Sequence, residues 1–181
     1  MSTQIITTIA GTGDFGFAGD SDLAKDALLS APRHAYYDKL TGDIFIADTN
    51  NNRIRRVSGG IISTVVGKTC TGSDGLGDNG QAVDACLISP CYFTMNDAGE
   101  WFIADNGNLR IRKVDSSEII TTVAGGGIET GNVPATSVKL SNPEGIAFLS
   151  SGEMLVADVG SDQLQKVDKG AYMRGIAGGG S

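Results

Sequence analysis

A chain of 181 residues, 40% of them hydrophobic, can bury one compact core, which excludes a disordered segment. Its 21 acidic side chains outnumber 14 basic ones, and the resulting formal charge of -7 argues against nucleic acid or anionic lipid as the partner. Glycine contributes 26 residues and proline only 4, a balance that marks many tight turns between short strands.

The first element is IITTIAG, residues 5–11, a β-branched run closed by a glycine. It precedes a Gly- and Asp-rich insert that ends at Pro32 and carries Ala24 and Leu29 at spacings that suit a short helical turn. After Pro32 the apolar residues Ala35 and Tyr37 alternate with the period of a strand. A turn at Gly42, the strand DIFIAD, a polar turn, the strand RIRRV and the strand IISTVVG follow. The pattern then starts again. Pro90 and Pro143 repeat Pro32; Asp105 and Asp158 repeat Asp48; Gly67, Gly125 and Gly178 repeat Gly11. The chain is therefore read as one partial domain, 1–181. It consists of an extra outer strand (5–11) and three four-stranded units at 12–67, 68–125 and 126–178. A small sheet with two apolar faces must shelter them against neighbouring copies, so the predicted fold is an all-β propeller with these units as blades.

The phrases FIADTNNNRIRRV, FIADNGNLRIRKV and IITTVAGGG resemble NHL repeats, and the likeness runs over almost the whole chain. Such a resemblance implies a six-bladed ring, of which three blades are present. Two copies closing one ring, copies joining head to tail, or further sequence would each complete it. Residues 5–11, with Ile5, Ile6 and Ile9, are expected to complete a blade elsewhere by adding to a sheet edge. The third unit departs from the pattern, with Gln163 and Gln165 where the others carry Arg53 and Arg55, or Arg110 and Arg112.

Each Asp that closes the IAD phrase stands just before a tight turn. Asp48, Asp105 and Asp158 are thus expected to cap backbone amides of that turn, or to pair with the arginine beyond it, Arg53 or Arg110. Asp14, Asp20, Asp22, Asp74 and Asp78 in the inserts raise calcium as a cofactor, but their spacing fits no calcium loop, and solvated turn residues are the expectation. The inserts are expected on one face of the propeller, as its binding surface. Cys70, Cys86 and Cys91 cluster in and after the second insert. A Cys70–Cys86 disulfide with Cys91 left over is the first choice, against three unbridged thiols, and zinc lacks a fourth ligand. The one histidine, His34, has Tyr92 and Glu144 as its repeat equivalents, and no nucleophile motif accompanies it.

These readings favour a non-catalytic scaffold for protein or glycan contacts or for self-assembly through blade edges. It would be soluble, with no nucleic acid and no membrane insertion, and extracellular or at a cell surface. The alternative, which the resemblance also allows, is a metal-dependent enzyme of the peptidyl-hydroxyglycine lyase or lactonase type, its site completed by blades outside this chain.

Overall fold

A computed structural model of the protein describes residues 5–71 and 75–178. In the first unit, β1 (Pro32–Tyr37), β2 (Ile44–Asp48), β3 (Arg53–Ser58) and β4 (Ile61–Val66) pair antiparallel in chain order. The second unit repeats this with β5 (Pro90–Met95), β6 (Trp101–Asp105), β7 (Arg110–Val114) and β8 (Ile120–Gly125). The third adds one strand: β9 (Val133–Pro134) precedes β10 (Pro143–Phe148), β11 (Met154–Asp158), β12 (Gln163–Val167) and β13 (Tyr172–Gly178), and pairs along β13. The third sheet is thus five-stranded rather than four-stranded.

The extra strand has counterparts in the other inserts. Leu23 bridges Ile61 and Gln81 bridges Ile119, each insert touching the start of the outer strand of its own sheet. The expectation of inserts gathered on one face therefore needs correcting. Each runs along the outer strand and returns, burying Ala24 and Ala27, Ala82 and Ala85, or Ala135 and Val138. A short 3-10 turn carries the first of each pair, at Ala24–Asp26, Ala82–Asp84 and Ala135–Ser137. The insert thereby covers part of an edge that would otherwise offer unpaired amides to another chain.

Alternation on each strand supplies two apolar faces. Phe45 and Ala47 of β2 face the second sheet and pack with Phe93, Ile103 and the insert residues Ala82, Ala85 and Leu87. Phe102 and Ala104 of β6 face the third sheet and pack with Ile146, Val156, Val138 and Leu140. The inner strands β1, β5 and β10 lie side by side, which places them nearest a common axis. Polar links join neighbouring sheets as well: Thr49 Oγ1 donates to the Pro90 carbonyl at 2.9 Å, and Asn106 Nδ2 donates to the Pro143 carbonyl at 3.1 Å.

Residues 5–11 belong to no sheet among the described residues, and Ile5, Ile6 and Ile9 are exposed, Ile6 completely. Their C-terminal end is nonetheless docked as the end of β4 is on the second insert. Gly11 donates its amide to the Ala24 carbonyl at 2.9 Å, as Gly67 does to Ala82 at 2.9 Å. The first sheet already has β4 as its outer strand, so the segment is held in place with no sheet to join.

Candidate functional site

The end of every second strand carries a buried carboxylate that gathers four parts of its unit. Asp48 accepts from the Ser30 amide at 2.7 Å, from Asn51 Nδ2 at 2.8 Å and from Arg55 Nη1 at 3.3 Å. Asp105 accepts from the Ile88 amide, Asn108 Nδ2 and Arg112 Nη1 at 2.8, 2.8 and 3.1 Å. Asp158 accepts from the Asn142 amide at 2.7 Å, Ser161 Oγ at 2.6 Å and Gln165 Nε2 at 3.3 Å. One carboxylate thus ties the end of the insert, the 3-10 turn and two strands together.

The arginine that answers the aspartate is not the expected one. Arg53 and Arg110 stand directly opposite Asp48 and Asp105 in register, yet they turn away. Arg53 donates to the Asn51 carbonyl and Thr69 Oγ1 and lies over the Phe17 ring at 3.9 Å, while Arg110 donates to the Asn108 carbonyl. Arg55 and Arg112 pair with the aspartates instead. Arg53 and Arg55, like Arg110 and Arg112, lie two residues apart on one regular strand and so point to the same face, and the second of each pair is the one that the insert carboxylate also meets. The bulge at this level puts its extra residue, Val65 or Val123, on the outer strand.

Both arginines are fully buried and reach a second carboxylate in the insert. Arg55 Nη2 meets Asp20 at 2.7 Å and the Ala18 carbonyl at 3.3 Å; Arg112 Nη2 meets Asp78 at 2.8 Å and the Leu76 carbonyl at 3.0 Å. Asp20 and Asp78 also accept from Thr64 and Thr122, both at 44 residues' separation. These two insert aspartates, expected to be solvated, are structural anchors. Their sequence signal was a shared position twelve residues before Pro32 and Pro90. Arg55 Nε and Arg112 Nε remain buried without a partner, a cost the surrounding bonds must offset.

Cys70 and Cys86 are bridged, across the second insert that holds Asp78. Cys91 is free and buried on β5, where burial pushes its thiol up to about 11. His34 packs on Tyr92 and Phe93 with ring centroids 4.2 and 4.9 Å apart, and burial holds its imidazole below the usual 6.5. Asp14 and Asp22 are exposed, and Asp74 lies outside the described residues. Among the described residues no three His, Cys, Asp or Glu side chains are grouped to hold a metal ion, and no helix is long and apolar enough to cross a membrane.

No protein-family model matches the chain. It is 34% identical to Teneurin-3 of Mus musculus over 122 residues, covering 59% of this chain and 4% of that protein. The chain therefore spans a small fraction of the length of the curated relatives it matches. Among solved structures, a protein of unknown function from Bacteroides thetaiotaomicron superposes with a TM-score of 0.64 at 18% identity, covering 80% of this chain and 37% of that one. Virginiamycin B lyase from Staphylococcus aureus does so with a TM-score of 0.54 at 15% identity, covering 82% and 42%. The chain forms three blades of a β-propeller. At these identities the likeness to solved structures is one of fold, and its three sheets match parts of six-bladed rings.

Proposed function

We propose that this chain is a non-catalytic propeller segment whose work is contact with other proteins, made through its two flanking blade faces. The observation that carries this reading is the state of those flanks. On blade 1, Ile9, Ala10, Leu29, Ala35, Ile44 and Ile46 line an open apolar groove of about 470 Å³. On blade 3, Ala147, Leu155, Ala157 and Leu164 line another of about 290 Å³. Ile44 and Ile46 are the repeat equivalents of Trp101 and Ile103, which blade 1 covers on blade 2; Leu155 and Ala157 are the equivalents of Phe45 and Ala47. The two flanks are thus complementary halves of the interface that joins blade 1 to blade 2, and a blade of the same kind fits each of them. Further blades of the same ring or a second copy of the chain can supply both. The Cys70–Cys86 bridge supports an oxidising, extracellular setting for such contacts.

Charged substitutions on one flank test this. Leu155→Asp with Leu164→Asp, compared by native mass spectrometry with the unsubstituted chain, should reduce associated species to monomer while circular dichroism stays that of a β protein. Association that survives both substitutions would remove the flanks from the account.

A further inference from the structure

Blade 3 lacks the buried clamp of blades 1 and 2, and three positions change together to remove it. Gly131 stands where the others have Asp20 and Asp78, and Gln165 stands where they have Arg55 and Arg112. Gly175 lies across from Gln165, where Thr64 and Thr122 lie across from the arginines. The space so vacated is a cavity of about 350 Å³, lined by Thr130, Gly131, Ser161, Gln163, Gln165 and Gly175 among others. Behind the lining residues Ser141, Ser161 and Gln165, which donate to it, Asp158 remains fully buried, and its partners are amides and a hydroxyl instead of a cation. The Glu129 carbonyl, which accepts from the Lys139 amide, repeats the Ala18 and Leu76 carbonyls that accept from the guanidinium groups in blades 1 and 2.

We propose that this cavity binds a guanidinium group, carried by an arginine side chain of a partner protein. That group restores from outside the ion pair that the other two blades make internally. The same chain shows twice what the position accepts: a planar cation, wholly out of water, between the strand aspartate and an insert carbonyl. A guanidinium offers five donors in a fixed fork, met here by the hydroxyl and amide oxygens of Thr130, Ser161, Gln163 and Gln165, with the Asp158 carboxylate directly behind Ser161 and Gln165, whereas an ammonium is a compact and more strongly hydrated charge. Lys139 also lines the cavity, and it is exposed, so an incoming cation meets its charge at the mouth. The inference deepens the reading of the chain as a contact module by naming one contact. It does not involve the flanks, so self-association and arginine binding fail separately.

The test is a titration of the isotopically labelled chain with N-acetyl-L-argininamide, following the backbone amides of Gly131 and Gly175 by nuclear magnetic resonance. Saturable shifts at these two glycines are expected, with at least tenfold weaker binding of the lysine counterpart and stronger binding of the arginine probe to Lys139→Gln. Gln165→Arg, which installs the side chain of the sister blades, should abolish the response; Gly175→Thr, which narrows the cavity without adding charge, should weaken it. Absence of saturable shifts, an equal response to the lysine probe, or an unchanged response in Gln165→Arg would each overturn the proposal.

Discussion

At the scale of single residues, the buried carboxylates hold each blade together. In Asp105→Ala the Arg112 guanidinium keeps only Asp78 as a charged partner while remaining out of water. Breaking a buried pair in this way costs about 3 to 5 kcal/mol, so the variant's urea midpoint should fall steeply. Gln165→Ala removes a neutral donor from Asp158 and should cost about 1 kcal/mol by the same measurement. The opposite ordering would show that the ion pairs do not carry the load assigned to them. His34 contributes in another way. Its imidazole titrates lower in the folded chain than the 6.5 of an unfolded one, because burial opposes the charged form. The unfolded state then binds the proton more readily, so this stability is complete above pH 6.5 and is lost as the pH falls below it. Melting temperatures across pH 7 to 5 should therefore fall more for the natural chain than for His34→Phe. The repeated IAD phrase made the three aspartates legible in the sequence as turn anchors. Which arginine each would meet was not legible, because Arg53 and Arg55 alternate onto the same face of their strand and only the folded insert, through Asp20, separates their roles.

At the scale of elements, strands and turns follow closely from alternation and glycine, while the inserts follow another logic. The glycine that closes each outer strand shows why the motif ends as it does. Gly67 and Gly125 have φ of +93° and +81°, and a side chain there would strike the carbonyl of Asn52 or Leu109 at the 3-10 turn. The inserts were harder to read because their partners lie in another part of the same unit. Asp20 touches Thr64, and Leu23 touches Ile61, contacts that only the closed sheet creates. The second insert is the one cross-linked, by cysteines 16 residues apart. Closing a loop of that size in the unfolded chain is worth about 3 kcal/mol. Cys70→Ser with Cys86→Ser should lower the unfolding free energy by about that amount and raise hydrogen exchange around Leu76 and Asp78. A double variant of unchanged stability and exchange would mean that the packing of Ala82, Ala85 and Leu87 fixes the insert unaided.

At the scale of the whole molecule, three sheets share two interfaces and leave two half-interfaces open. The repeat length and the pairing of apolar faces made the stacked arrangement legible in the sequence. The packing of each insert's short turn on the blade was also legible, from the recurring Ala82 and Leu87 or Ala135 and Leu140. The anchoring of its Gly- and Asp-rich part by Asp20 and Asp78 was not, since the spacing of those residues alone does not tell a solvated turn from a docked one. Val159 illustrates the consequence: Thr49 and Asn106 at its position bond to the proline carbonyl of the next blade, whereas Val159 is exposed on the open flank. A blade docked there would meet an apolar contact at this point instead of a hydrogen bond. Sedimentation velocity of the unmodified 181-residue chain, across a hundredfold range of concentration, tests the central claim most directly. Complementary flanks predict a sedimentation coefficient that rises with concentration toward a dimer or larger species; a single monomeric boundary at every concentration would contradict them.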